Sequence, residues 1–251
     1  MGKAFDFIYS VAKHGFLKHI CFQNKNRMGK RKINGWHYTL EVLVVFIGVT
    51  AGFLLNNWRE ENVEKKLEAK YLNSFYKDVQ NNESQIDTLV TSSQLKADKL
   101  ISILKATELV NKPLTEELAG EIVTEIIYIE WLSATNDTYE DIINSGNLNL
   151  ISDYQLKEKI SSYYTFLNEI KNVEHYYQKH MDSYGFPVLY KTVNLLTQEF
   201  INKESYQTLE FTNMYLGVIS LIQQNNNSYR KALDKNRELQ EALRHALNLE
   251  E

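Results

Sequence analysis

The stretch Ile33–Trp58, INGWHYTLEVLVVFIGVTAGFLLNNW, decides the fold of this chain. Within it, the 18 residues 38–55 include a single charged side chain, that of Glu41. A helix from Trp36 to Trp58 would cover about 33 Å at about 1.5 Å per residue, close to the hydrocarbon thickness of a bilayer. Tryptophan rings favour the two membrane interfaces. The stretch therefore predicts one transmembrane helix over residues 33–58.

The charges on the two sides of this helix differ in sign. Residues 1–32 hold eight of the 28 Lys and Arg residues and one of the 32 acidic residues, for a net charge of +7, whereas the rest of the chain carries −11. Because positively charged flanks stay in the cytoplasm, we expect a bacterial inner-membrane protein with a basic cytoplasmic segment, residues 1–32, and a periplasmic domain, residues 59–251. The basic segment abuts the span and its basic core lacks interleaved aromatic residues, which favours anchoring over nucleic-acid binding.

The N-terminal region leaves two alternatives open. Val49-Thr50-Ala51 loosely resembles a signal-peptide cleavage site, but the long leader and the charged end of the apolar run favour a retained anchor. Met28 is an alternative start of the chain. The single cysteine, Cys21, precedes the span, so we expect neither disulfides nor thiolate metal sites in the exported part.

The region after Trp58 has the pattern of a long helix. Neither proline nor glycine interrupts residues 53–112, and a largely apolar heptad begins at Leu72, which is typical of a coiled coil. This helix can continue directly from the membrane span. The two heptad positions hold Leu72, Val79, Ile86, Ser93 and Leu100, and Phe75, Asn82, Leu89, Lys96 and Ile103.

Helix-start and helix-stop residues divide the remainder into further helices. No alternation of period two is present, so we expect no strands. The predicted fold class is all-α, with one N-terminal transmembrane helix continuing into an extracytoplasmic bundle of long helices. Five further helices are predicted. They run from an N-cap at Thr115 to about Ser133, from Asp137 to a stop at Gly146, from Ser152 to about Tyr184, over residues 188–202, and over residues 206–247. The last contains a predicted break or solvated turn at residues 223–227.

Two blocks of the sequence, taken together, resemble a known family. The first block consists of Glu41, an apolar run with Gly48, Asn56-Asn57-Trp58-Arg59-Glu60, and a helix starting near Tyr71-Leu72. The second block is the run of residues 138–151, TYEDIINSGNLNLI. Both blocks are similar to a family of bacterial single-pass membrane proteins classed as a domain of unknown function (number 6090). The first block departs from that family at Leu40-Glu41-Val42 and Thr50-Ala51-Gly52, where members more often carry Gly-Glu-Ile and a continuous Ile/Leu run. The family has no assigned activity, so the resemblance implies topology alone.

The span presents a candidate helix-contact face. At about 100° per residue, Gly48 and Gly52 lie about 20° to either side of Glu41 on the helix. Small residues four apart let membrane helices approach closely, and a carboxyl in the span is costly unless it faces protein, water or headgroups. The alternative is that Glu41 lies near the interface and simply reaches it.

A second candidate is a partner patch in the block 137–151. Tyr139, Asn144, Asn147 and Asn149 offer an aromatic ring and amides to a ligand or partner. The competing explanation is structural, because a helix cap, a glycine stop and packed leucines account for the same residues.

No motif for catalysis stands out. The sequence lacks HExxH, CxxC, a Gly-x-Ser-x-Gly elbow and a glycine-rich phosphate loop, and the tyrosine-rich stretch 163–184 is typical of core-edge packing. We therefore expect a structural or interaction protein, not an enzyme, without cofactor or metal. Its expected partners are the lipid bilayer and either a second copy or another membrane-complex protein. The alternative is a sensor-type ligand-binding helical bundle.

Overall fold

The computed structural model describes residues 35–108, 113–194, 196–197 and 199–249. The basic segment 1–32, with Cys21 and Met28, lies outside these residues. The chain divides into two units, Met1–Asn57 and Trp58–Glu251. Helices make up most of the described residues, which confirms the all-α fold class.

The longest element is helix α1, Gly35–Glu108, with 74 residues. It contains the apolar stretch and the heptad region without interruption. From Leu72 onward its apolar heptad residues are buried, and so is Asn82, which is fully enclosed. The helix ends before Pro113, in agreement with the sequence prediction.

Short and long helices follow α1. A π-helical turn, Met181–Gly185, links two of them directly, and 3₁₀ turns form at Asn147–Leu150 and Ser205–Gln207. The helices are α2 (Glu116–Ile127), α3 (Asp137–Asn144), α4 (Tyr154–His180), α5 (Phe186–Thr192) and α6 (Leu209–Ala246).

Several predicted helix ends are confirmed, and two N-caps shift by one residue. The Thr115 hydroxyl accepts from the Leu118 N–H at 3.3 Å, and Gly146 takes the left-handed conformation with φ of 72°. Helix α4 is capped by Asp153, not Ser152, because the Asp153 carboxylate accepts from two N–H groups of the first turn. Helix α3 begins at Asp137 itself, with Asn136 before it.

The helix predicted to reach Ser133 ends at Ile127, so this prediction is wrong for residues 128–133, which belong to an irregular segment over 128–136. In that segment, tertiary partners take the backbone groups that a helix would bond internally. The Glu174 carboxylate accepts the Leu132 N–H at 2.8 Å, and Asn82 bonds both the N–H and the carbonyl of Thr135.

The prediction of a helix over 188–202 is confirmed for residues 188–192 and wrong beyond them. Helix α5 ends at Thr192, and two strands of two residues each, β1 (Val193–Asn194) and β2 (Glu199–Phe200), pair antiparallel with Val193 opposite Phe200. The Asn194 side chain accepts from the Leu196 N–H at 3.0 Å, which favours a turn over further helix. The expectation of no strands therefore fails at this one hairpin.

Helix α6 runs through residues 223–227 without the predicted break. Asn225 and Asn226 are buried there instead of solvated. The Asn226 amide donates to the Val90 carbonyl and to the Ser93 hydroxyl, both at 2.8 Å. The polar run thus supplies hydrogen bonds between α6 and α1. A helix can present the asparagine side chains that form these bonds as well as a turn can.

The core of the unit Trp58–Glu251 consists of two hydrophobic clusters. One surrounds Phe75, Tyr163 and Tyr164, where α1, α4 and α6 meet, and the other surrounds Phe211 and Leu100, towards the opposite end of α6. The first cluster includes aromatic contacts, with the Phe75 and Tyr164 ring centroids 5.8 Å apart. The apolar heptad residues of α1 pack into these clusters within one chain.

Candidate functional site

The N-terminal part of α1 carries a continuous apolar surface. Its large apolar side chains between Trp36 and Trp58 are 51–76% exposed. One helix among the described residues is long and apolar enough to cross a membrane, with a mean hydropathy of 2.0 over its best 18 residues and none of that window buried. Length and composition therefore agree with the sequence prediction of a span.

The predicted contact face of the span lies on this exposed surface. Glu41, Gly48 and Gly52 are all exposed and helical. A Cβ atom added at either glycine would meet nothing within 4 Å. The two glycines therefore do not make room for any described part of this chain, and the role of the face stays a prediction.

The block around α3 is held against α1 by hydrogen bonds. The Tyr71 hydroxyl donates to the Asp141 carboxylate at 2.9 Å and accepts from the Asn147 amide at 3.2 Å. The Glu68 carboxylate accepts from the N–H and the hydroxyl of Ser152, at 2.7 and 2.8 Å. Asn147 is one of the predicted patch residues, and its hydrogen bond to Tyr71 gives it a structural role.

The structure brings together two of the four predicted patch residues, Tyr139 and Asn144. Both line a cleft of about 240 Å³ between α4 and the segment 132–144. The Tyr139 ring stacks on Tyr164, with centroids 4.7 Å apart and planes 7° apart, so it forms part of the wall. Asn147 and Asn149 lie outside this lining.

This Tyr139 cleft combines an apolar floor with a polar rim. The amides of Asn144 and Asn168 have no hydrogen-bond partner among the described residues, and Lys171 lies beside them. These groups can bind polar atoms of a small ligand or a peptide, but they do not form a nucleophile and base pair. The lining consists of Leu132, Ala134, Asn136, Tyr139, Glu140, Ile143, Asn144, Tyr164, Leu167, Asn168 and Lys171.

A buried carboxylate, that of Glu174, bonds the backbone of Leu132, one of the residues that line the Tyr139 cleft. One of its oxygens accepts from the Leu132 N–H at 2.8 Å and from the Tyr229 hydroxyl at 2.6 Å. Burial raises the pKa of Glu174, and burial together with the bond to Glu174 raises the pKa of the Tyr229 hydroxyl. The carboxylate thereby ties the segment 128–136 to both α4 and α6.

Sequence reasoning missed Glu174, although a signal was present. The residue follows Ile170 by four positions and precedes Tyr177 by three, which places it on the buried face of α4. An acidic residue in an apolar stripe is rarely enclosed without partners. That position pointed to a buried polar contact.

Two buried asparagines add further polar contacts in the core. Asn82 exchanges two hydrogen bonds with the Thr135 backbone, at 2.9 and 2.7 Å. The Asn236 amide donates to the Val79 carbonyl at 2.9 Å and to the Tyr163 hydroxyl at 2.8 Å. Such groups favour one register of α1, α6 and the segment 128–136, because a shifted register would leave them unpaired.

Within the described residues, no three His, Cys, Asp or Glu side chains are grouped to hold a metal ion. Comparisons with protein-family models, with curated proteins and with solved structures return no match. The resemblance to the family of unknown function therefore stays a prediction from residues 34–75 and 136–165.

Proposed function

We propose that this protein is a single-pass structural or interaction protein of the bacterial inner membrane. Its residues 59–251 would form a periplasmic helical bundle that binds a partner, and the chain would self-associate. The observation that carries this proposal is the exposed apolar surface of α1 between Trp36 and Trp58. An apolar surface of this length is costly in water and matches the thickness of a bilayer.

The orientation rests on charge. The net charge of +7 before the span keeps that flank in the cytoplasm, so residues 59–251 lie on the other side. The resemblance to single-pass membrane proteins supports the same topology.

Self-association rests on the glycine face of the span. Gly48 and Gly52 leave the helix surface open, and no described part of the chain covers it. A second α1 helix can approach closely there, with Glu41 on the same face. The occupant we favour is a second copy, since an identical helix presents the same small residues.

A sensor-type ligand-binding bundle is the second candidate function. The Tyr139 cleft favours it, because the Asn144 and Asn168 amides and the Lys171 ammonium converge on a floor that includes Leu167. The scaffold remains the better supported function, since the exposed apolar surface of α1 extends over the whole stretch from Trp36 to Trp58, whereas the Tyr139 cleft offers a ligand only a few polar groups at its rim.

Reporter fusions in a Gram-negative host test the membrane topology. A reporter active only outside the cytoplasm, fused after Glu251, should be active, and a cytoplasm-only reporter at the same position should be silent. Alkaline carbonate washing should leave the protein in the membrane pellet. A C-terminal fusion active in the cytoplasm, or release into the carbonate supernatant, would overturn the proposal.

A further inference from the structure

The junction between α4 and α5 is a π-helical turn where the sequence predicted a helix end. The Phe186 N–H bonds the carbonyl of Met181, five residues back. A Cβ atom at residue 185 would lie 2.7 Å from both Cε and Sδ of Met181, whose side chain is fully buried. Gly185 therefore permits the close packing that shapes this turn. Single π-helical turns within helices occur frequently at functional sites.

Pro187 adds a second irregularity. It lies in the first turn of α5 and has no backbone N–H. Residue 187 therefore cannot donate a helical hydrogen bond to a carbonyl of the preceding π-helical turn. Ser183, within that turn, lines a surface cleft.

The π-turn cleft has a volume of about 400 Å³ and lies between α5, the start of α6 and the π-helical turn. Tyr184, Val188 and Met214 provide an apolar wall, of which Met214 is buried and Tyr184 exposed. The polar lining comes from His180, Ser183, Lys191, Glu210 and Asn213. A cleft of this size accepts a small organic molecule.

Opposite charges face this cleft from two helices. Lys191 belongs to α5 and Glu210 to α6, and neither forms an ion pair or hydrogen bond within the described part of the chain. The His180 ring packs closely over Gly217, where a Cβ atom would lie 3.0 Å from its Nε2 atom. Gly217 thus lets the imidazole lie against α6 at the edge of the cleft.

We propose that the π-turn cleft binds a free amino acid with an apolar side chain. Lys191 and Asn213 would bind its carboxylate and Glu210 its ammonium. The wall of Tyr184, Val188 and Met214 would bind its side chain. A carboxylic acid without an ammonium group would leave the Glu210 carboxylate unpaired and close to the like charge of the ligand. An amine without a carboxylate would leave the Lys191 ammonium unpaired in the same way. The proposal goes beyond the scaffold function and does not depend on it.

Isothermal titration calorimetry on the full-length protein in lipid nanodiscs tests this inference. The probes are L-leucine and L-phenylalanine, with 3-phenylpropionate lacking the ammonium and phenethylamine lacking the carboxylate. Lys191→Met and Glu210→Gln remove the two charges at exposed positions, where folding should be unaffected. Lys231→Met and Glu169→Gln are matched controls on exposed positions away from the cleft.

We expect at least one of the two amino acids to bind at millimolar concentration or below. Each cleft variant should weaken that binding about tenfold or more, as should removal of either charged group from the ligand, whereas the controls bind as the wild type does. Absence of binding by both amino acids would overturn the proposal. Equal binding of 3-phenylpropionate, or unchanged binding to Lys191→Met and Glu210→Gln, would also overturn it.

Discussion

Single residues decide how the polar groups of this core are satisfied. Glu174 is the clearest case, because one buried carboxylate oxygen holds both Leu132 and Tyr229. Burial raises the pKa of Glu174 despite these bonds, so the cost of desolvation exceeds the gain from them. The free energy of unfolding should therefore depend on the protonation of this residue.

Glu174→Gln should flatten the pH dependence of stability. The folded protein binds the Glu174 proton more tightly than the unfolded chain does. The contribution of this residue to stability is therefore largest below the ordinary carboxyl pKa of 4.5 and falls as the pH rises towards the raised folded-state value. Glutamine keeps an acceptor oxygen and has no charge, so the variant should lose this fall and match or exceed the wild type at neutral pH. Urea unfolding from about pH 4 to about pH 8 measures the difference.

The control for this experiment is Glu169→Gln on the exposed face of α4, which should keep the wild-type slope. A Glu174→Gln variant with the wild-type slope would show that the buried carboxylate does not contribute to the pH dependence.

Gly146→Val should destabilise the protein by about 1–2 kcal/mol, because the left-handed backbone is strained for a β-branched residue. The observed φ of 72° carries this prediction. Gly146→Asn should reduce stability less, since asparagine tolerates this conformation.

Gly120→Ala, inside α2 with no atom near the added Cβ, should instead stabilise the protein. Thermal unfolding of the three variants measures the order, and equal melting of the valine and asparagine forms would contradict it.

At the scale of elements, α1 contains two surfaces of different chemistry. Its N-terminal part exposes apolar side chains, whereas from Leu72 onward its apolar heptad residues are buried in the core of the chain. The heptad residues already have their partners within the chain. Association between copies should therefore depend on the exposed apolar surface of the N-terminal part.

Gly48→Ile and Gly52→Ile should weaken association of the span, because larger side chains keep helix backbones apart. Thr50→Ile, about 180° from Glu41, and Leu54→Ile, about 140° away, are controls on the other side of the helix. A dimerisation reporter in a bacterial membrane, carrying residues 33–58, measures the effect. If the glycine variants associate as well as the two controls, the contact face does not exist.

Glu41→Gln in the same reporter separates a charged role from packing. Glutamine retains hydrogen bonding and removes any charge, so unchanged association would indicate a neutral or packing role, and loss would indicate an ionised one. The structure leaves Glu41 exposed, in accord with either result.

At the scale of the whole molecule, the unit Trp58–Glu251 contains its own core. A fragment of residues 60–251 should therefore be soluble and show a circular dichroism spectrum dominated by helix. The two hydrophobic clusters that lie within this unit carry the prediction. An insoluble fragment, or a spectrum with substantial strand content, would contradict this prediction.

The sequence by itself determined the all-α class, the long first helix, the Thr115 cap and the left-handed Gly146. Each of these follows from local chemistry, namely apolar periodicity, helix capping and the backbone freedom of glycine. The exposed apolar stretch before Trp58 was equally visible, because its composition alone sets its preference for an apolar environment.

Only the tertiary structure decided the fate of residues 128–136, the continuity of α6 through Asn225 and Asn226, and the pairing of Tyr139 with Asn144 at one cleft. The same polar side chains are compatible with a solvated turn or with a buried bond, and the choice depends on partners distant in sequence. Thr135 pairs with Asn82 across 53 residues, and Asn226 with Val90 across 136. Local propensity contains no information about such partners, since burial makes those hydrogen bonds decisive only after the helices have packed.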